Sequence, residues 1–176
     1  MLDTLTNSSV PDLLKLHSAV LDELKRREIV RTGNNPTGDY TEWLVAQRLG
    51  LALNGNSEKG YDATDPAGMR YQIKGRRLSS DTAPSQLSAI RDLEHNEFDF
   101  LIAVIFRSDW QIKCAIKVPH QTVAELADYR KHVNGHVLYV RPSLLAHPTV
   151  LDVTETLRDV DPAQHGQCTT DSASAS

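Results

Sequence analysis

The sequence lacks a run of apolar residues long enough to cross a membrane, which takes about 18 in a row. Its first ten residues, MLDTLTNSSV, have neither the basic start nor the apolar stretch of a secretory signal peptide. Cysteine is also scarce, with 2 in 176 residues, and Cys114 and Cys168 fit no metal or redox spacing. No disulfide framework is indicated, so we expect a cytoplasmic protein without membrane association.

An excess of positive charge is missing as well. The chain has 19 Lys and Arg against 23 Asp and Glu, and a net charge of -4 argues against attraction of nucleic acid by the whole surface. There is no Gly-rich phosphate loop, no Cys-x-x-Cys pair and no Ser-His-Asp order. The local exception is the segment 70–77, RYQIKGRR, which has four cations and no anion.

The length suits a single domain, which we place at residues 1–158. Within it we expect an N-terminal helix at 10–29 and a core at 36–140. Residues 159–176 are small, polar and poor in apolar side chains, so a disordered tail is expected there.

Two helices are predicted in the first third of the chain. The first covers 10–29, with Ser9 as a suitable N-cap. The second begins near Asn35-Pro36 and ends near Gly50, because Asn caps helix starts, Pro favours the first turn and Gly favours the end. Apolar side chains recur at helical spacing in the first helix, namely Val10, Leu13, Leu14, Val20, Leu21 and Leu24.

Further along the chain the apolar pattern becomes that of β-strands. Five strands are predicted, at residues 61–64, 69–76, 98–106, 110–118 and 136–140. The turn sequence Asp-Pro-Ala-Gly at 65–68 joins the first two as a hairpin. A helix is predicted over 119–132. This order of elements predicts an α/β sandwich with a mixed central sheet flanked by helices.

The strand at 69–76 divides its side chains between two faces. Successive side chains in a strand point to opposite faces, so Tyr71 and Ile73 share one face and Gln72 and Lys74 share the other. The first face is apolar and can pack. The second places an amide and an ammonium two residues apart, with arginines on either side.

The predicted hairpin can bring Asp62 beside Gln72 and Lys74. One carboxylate, one amide oxygen and one main-chain carbonyl, that of Ile73, make a set of hard oxygen ligands suited to Mg²⁺ or Mn²⁺. Beside such a cation, Lys74 could orient or deprotonate a water, or stabilise charge on a phosphoryl group.

These motifs, taken in order, resemble those of the PD-(D/E)xK nuclease superfamily. That family has a glutamate on an early helix, then an aspartate, a hairpin, and an acid-x-lysine strand. The matching segments within residues 36–118 are Gly38-Asp39-Tyr40-Thr41-Glu42, Gly60-Tyr61-Asp62 and Tyr71-Gln72-Ile73-Lys74. Gln72 departs from the usual acid, as in the similar Gln-x-Lys motif of Mrr-like restriction nucleases, and removes one negative charge.

The resemblance implies a restriction-endonuclease-like fold and a metal-dependent endonuclease that hydrolyses phosphodiester bonds. Nucleic acid, with DNA expected, would be its partner, and a homodimer is left open. The implied catalytic residues are Glu42, Asp62, Gln72 and Lys74. The implied metal ligands are Glu42, Asp62, Gln72 and the carbonyl of Ile73. The residues expected to bind nucleic acid are Arg70, Arg76 and Arg77.

Three alternatives stay open from the sequence. Asp39 competes with Glu42 for the acidic position of the motif. We expect Glu42 to face the site and Asp39 to be more exposed. The reason is that a close approach of the helix to the sheet at Gly38 would aim Glu42 inward. The polar loop at 31–35 is either a plain connection, which is the favoured interpretation, or a contact to a phosphate backbone through Arg31, Asn34 and Asn35. Because Gln72 lacks the charge, an inactive nuclease-fold protein that binds nucleic acid or a partner is the alternative function.

Overall fold

A computed structural model of the chain describes residues 5–55 and 60–158, which form a mixed α/β structure. The described strands are β1 (Ala52–Leu53), β2 (Ala63–Thr64), β3 (Arg70–Arg77), β4 (Phe100–Phe106), β5 (Ile112–Pro119), β6 (Asp128–Arg130), β7 (Gly135–Val137) and β8 (Leu151–Asp152). The main sheet has the order β1-β2-β3-β4-β5-β8, and β6 pairs with β7 in a separate ribbon. β3 and β4 are parallel and the other neighbours antiparallel, so the predicted mixed sheet is confirmed.

Helices and a long crossover cover the two faces of the sheet. The described α-helices are α1 (Val10–Arg26), α2 (Thr37–Leu49), α3 (His120–Leu126), α4 (Pro142–Leu145) and α5 (Thr154–Arg158). On one face, α2 packs on β3 and α5 packs on β5. The crossover at 78–99, required because β3 and β4 are parallel, lies on the other face, where Leu78, Leu87 and Ile90 join one apolar core.

Burial on both faces explains the continuous apolar composition of β4. Leu101, Ala103 and Ile105 belong to the crossover core, while Ile102 and Val104 belong to the core under α2. All five side chains are essentially inaccessible to solvent. A strand covered on both sides needs apolar residues at every position, which is why this run was recognisable as a central strand.

The predicted limits of α2 agree with its capping interactions. Asn35 Oδ1 accepts hydrogen bonds from the N–H of Thr37, at 3.0 Å, and from its hydroxyl, at 2.7 Å. Gly50 ends the helix in the left-handed conformation, with φ of 64°. The start of α2 is therefore held in place, which matters because this helix carries Glu42.

Helix α1 leaves most of its apolar side uncovered. Its start at Ser9 is as predicted, with the hydroxyl accepting the N–H of Asp12 at 3.3 Å. Only Leu21 is buried, whereas Val10 is 69% and Leu14 64% exposed. Among the described residues, the helix thus packs on the body of the protein near its C-terminal end.

The helix predicted over 119–132 is wrong in its second half. α3 ends at Leu126, and the chain continues as β6, which pairs with β7 through a turn at Asn134. Asn134 has a φ of 45°, and a Cβ on the following Gly135 would lie 2.9 Å from the Ile90 carbonyl oxygen. An Asn-Gly turn packed against the crossover therefore overrides the helical periodicity. The strand predicted at 136–140 is correspondingly short and lies outside the main sheet.

The expected tail at 159–176 lies outside the described residues. Within 5–55 and 60–158, no helix combines the length and apolar character that a membrane crossing requires.

Candidate metal and nucleic-acid site

The alternation predicted for β3 is confirmed by its burial. Tyr71 and Ile73 are buried, at 5% and 4% exposure, and belong to the core under α2. Gln72 and Lys74, which point to the opposite face, are half-buried. The polar pair of β3 is thus held on a rigid strand between β2 and β4.

Asp62 lies where β2 separates from β3. Its N–H donates to the carbonyl of Tyr71 at 2.8 Å, and its Oδ2 accepts the N–H of Ile73 and the side-chain amide of Gln72, both at 2.6 Å. The Asp62 carboxylate therefore accepts the Ile73 N–H, which a main-chain carbonyl of a neighbouring strand would otherwise accept. Since the N–H and carbonyl of one strand residue point the same way, the Ile73 carbonyl lies along this same open edge.

Glu42 reaches this region from α2. Its side chain is 18% exposed, and burial, followed by the negative charge of Asp62, raises its pKa to about 7. The positive charges of Arg31 and Lys74 lower the pKa without cancelling that rise. Glu42 therefore interacts electrostatically with both Asp62 and Lys74, and these three predicted residues lie in one neighbourhood.

Lys74 has a free ammonium among the residues that the structure describes. No hydrogen bond or ion pair is formed by its side chain there, although its charge acts on Glu42. A half-buried, unpaired lysine that interacts electrostatically with a carboxylate can orient a water molecule or meet an anionic substrate.

Asp39 has a structural role in this arrangement. Its Oδ2 accepts the N–H of Arg31 at 2.9 Å and the N–H of Thr32 at 2.8 Å, which fastens the 31–35 loop to α2. The expectation that Asp39 is more exposed than Glu42 is wrong, because its side chain is only 13% exposed against 18%. These two main-chain donors draw the Asp39 carboxylate under the loop.

The close approach of α2 to the sheet occurs at Gly75, and the expectation that it occurs at Gly38 is wrong. A Cβ on Gly75 would lie 1.9 Å from Thr41 Oγ1 and 3.1 Å from the Thr37 carbonyl oxygen, whereas one on Gly38 would meet nothing within 4 Å. A glycine inside a strand is a known signal of such an approach, and RYQIKGRR contains it.

The three arginines expected to bind nucleic acid differ in their surroundings. Arg70 forms a two-pronged ion pair with Asp99, with nitrogen–oxygen distances of 2.9 and 3.2 Å, so its charge is already neutralised. Arg77 donates to the Ser108 carbonyl at 2.7 Å and lies over the Trp110 ring. Arg76 is exposed and makes no ion pair with any described residue. Arg76 and Arg77, rather than Arg70, are accessible to phosphates.

The residues at the edge of β3 provide suitable donors for a hard cation. Burial and, after it, the negative charge of Asp62 raise the pKa of Glu42, and a divalent ion between the two carboxylates would offset that negative charge. Turning the Gln72 amide would present its oxygen in place of the nitrogen that now donates to Asp62. The summed negative charge of these candidate ligands is low, however. The described residues contain no group of three His, Cys, Asp or Glu side chains placed to hold a metal.

Comparison of the chain with protein-family models and with curated proteins found no match.

The perturbed carboxyl of Glu42 predicts a pH-dependent stability. The folded-state pKa of Glu42, about 7, exceeds the ordinary value of 4.5, so protonated Glu42 favours the folded protein. This contribution to the unfolding free energy is complete below pH 4.5 and is lost as the pH rises through 7. Relative to Glu42→Gln, the wild-type protein should therefore lose up to about 3 kcal/mol of unfolding free energy between acidic and mildly alkaline pH. Urea denaturation of both proteins at the two pH values measures this, and parallel pH profiles would exclude a raised pKa.

Proposed function

We propose that the protein is a metal-dependent endonuclease with a restriction-endonuclease-like fold, acting on nucleic acid, with DNA as the expected substrate. The observation that carries this proposal is the electrostatic coupling of Glu42 to both Asp62 and Lys74, together with the fixing of Asp62 on β3 through the N–H of Ile73. The parallel pair β3 and β4, flanked by α2, supports it because the strand that carries Gln72 and Lys74 is held rigidly at the sheet centre.

In this proposal Mg²⁺ or Mn²⁺ would be held by Asp62, Glu42, the Gln72 amide oxygen and the Ile73 carbonyl. The bound cation would supply Lewis-acid stabilisation of charge on the phosphoryl oxygens. Lys74 would orient the attacking water and hold it near the phosphorus, since its ammonium has no competing partner among the described residues. Arg76 and Arg77 would bind phosphates away from the cleaved bond.

A cleavage assay with a single lysine variant tests this function. Purified protein is expected to cut supercoiled plasmid, single-stranded DNA or RNA in the presence of Mg²⁺ or Mn²⁺, and Lys74→Ala to be at least about 100-fold slower. Lys113→Ala is the matched control, because Lys113 is an exposed strand lysine on β5 that donates to the Asp81 carbonyl. Equal cutting by the wild-type and Lys74→Ala proteins would contradict the proposed role.

Nucleic-acid binding through β3 predicts a defined dependence on salt. Each lost phosphate contact should reduce the slope of log affinity against log salt by about 0.7–0.9. In the double variant Arg76→Ala, Arg77→Ala this slope should therefore fall by about twice that amount. Arg26→Ala, Arg27→Ala at the C-terminal end of α1 is the control, because both arginines pair with Glu23. A slope that is the same in all three proteins would show that β3 is not the binding surface.

One observation favours a second function, that of an inactive nuclease-fold protein that binds nucleic acid. Asp62 already accepts two short hydrogen bonds, and Glu42 forms an ion pair with Arg31, so the side chains are satisfied without a cation. Such a protein would bind nucleic acid through Arg76 and Arg77 and would not cut under any divalent ion. The cleavage assay with the wild-type protein separates the two functions.

A further inference from the structure

Arg31 lies beside Glu42 at the candidate site. It follows α1, and its main-chain N–H is fixed by Asp39 at 2.9 Å. Its guanidinium pairs with Glu42 Oε2 and lies 3.8 Å from Asp39 Oδ1. The side chain is 37% exposed, so it connects the half-buried Glu42 with the solvent.

The guanidinium retains unused hydrogen-bonding capacity. It has five N–H donors arranged in a fork that matches carboxylate and phosphate oxygens. The contacts to Glu42 and Asp39 both involve its Nη2 nitrogen. Arg31 is also the single Lys or Arg that forms an ion pair with Glu42 among the described residues. Its guanidinium therefore holds an oxygen of the Glu42 carboxylate that could otherwise bind a divalent cation.

From this geometry we infer that Arg31 binds a substrate phosphate and thereby couples nucleic-acid binding to cation binding. In the free protein Arg31 pairs with Glu42 and opposes a cation by charge repulsion. When a phosphate is bound, the guanidinium turns outward to the phosphate oxygens and Glu42 becomes available as a ligand. Because coupling between two ligands is reciprocal, each should tighten the binding of the other.

This inference rests on the proposed function, but it predicts an effect that needs neither cleavage nor nucleic acid. Removing the charge of Arg31 should tighten Mn²⁺ binding to the otherwise unchanged protein by roughly fivefold. In the same variant, a DNA duplex should bind less tightly, and it should increase Mn²⁺ affinity by a smaller factor than in the wild-type protein.

The experiment measures Mn²⁺ binding to the full chain by titration calorimetry, without DNA and with a short phosphorothioate duplex. The proteins compared are wild type, Arg31→Gln, Arg31→Lys and Arg27→Gln, the last being a control because Arg27 pairs with Glu23 outside the site. Tighter Mn²⁺ binding in Arg31→Gln alone, with reduced DNA coupling, is the expected result. Should Arg31→Gln fail to fold, Arg31→Lys must show weaker DNA binding and a smaller coupling factor, since it keeps the charge and loses the fork.

Two results would overturn the inference, and they are distinguishable. If Mn²⁺ binds to the wild-type protein and Arg31→Gln with equal affinity, the coupling role is wrong while the cation site stands. If Mn²⁺ binds to none of the proteins, the metal-dependent function fails together with the coupling.

Discussion

Asp62→Asn is expected to lower the rate of metal-dependent cleavage by on the order of 10³-fold or more. The amide oxygen of Asn can still accept the N–H of Ile73, which Asp62 now accepts at 2.6 Å, so the edge of β3 should keep its shape. The negative charge that would hold the cation is lost. Cleavage kinetics over a range of Mg²⁺ concentrations measure the effect, and excess Mg²⁺ should restore little activity.

Asp65→Asn is the matched control for this variant. Asp65 is on the same hairpin, where its carboxylate accepts the N–H groups of Ala67 and Met69 and the hydroxyl of Tyr71, at 2.9 to 3.0 Å. It holds the turn and does not face Glu42, so this variant should cut at close to the wild-type rate. Equal activity of Asp62→Asn and Asp65→Asn would remove Asp62 from the chemistry.

Gly75→Ala is expected to destabilise the protein by about 3 kcal/mol, although alanine is ordinarily more favourable than glycine inside a strand. The new methyl group would lie 1.9 Å from Thr41 Oγ1 and 2.9 Å from Thr41 Cβ. Thr41 is fully buried, and its hydroxyl donates to the Thr37 carbonyl, so it cannot turn aside without losing that hydrogen bond. α2 must therefore move away from β3, and Glu42 moves with it, which should also reduce cleavage.

Gly38→Ala provides the contrast, because Gly38 is in α2 and nothing lies within 4 Å of its potential Cβ. Alanine has the better helix propensity, so this variant should be unchanged or more stable by up to about 1 kcal/mol. Urea denaturation of the two variants gives both values. A Gly75→Ala protein as stable as the wild type would show that α2 does not pack closely on β3.

The parts of the fold that were predictable from the sequence are those set by local patterns. Alternation of apolar and polar residues in RYQIKGRR indicated the two faces of β3, and the continuous apolar run at 98–106 indicated β4. Burial on one face of a strand requires alternate apolar residues, whereas burial on both faces requires apolar residues throughout. The limits of α2 followed from Asn35 and Gly50, whose side chain and conformation satisfy the helix ends.

The parts that could not be predicted depend on contacts between distant segments. β1 and β8 are two residues long and exposed, so they carry no pattern of their own. Asp99 reaches Arg70 only because β4 lies parallel to β3 after the crossover, which no spacing in the sequence indicates. The raised pKa of Glu42 likewise arises from the packing of α2 against the sheet.

The candidate site is tested most directly by titrating Mn²⁺ into wild type, Asp62→Asn and Gln72→Glu while following the bound ion and DNA cleavage in the same samples. The wild-type protein should show saturable Mn²⁺ binding that rises together with cleavage. Gln72→Glu should bind Mn²⁺ more tightly and still cut, since a carboxylate adds a full charge beside the cation, and Asp62→Asn should lose both properties. Cleavage that persists in Asp62→Asn, or identical Mn²⁺ binding by all three proteins, would contradict a metal-dependent nuclease site at the edge of β3.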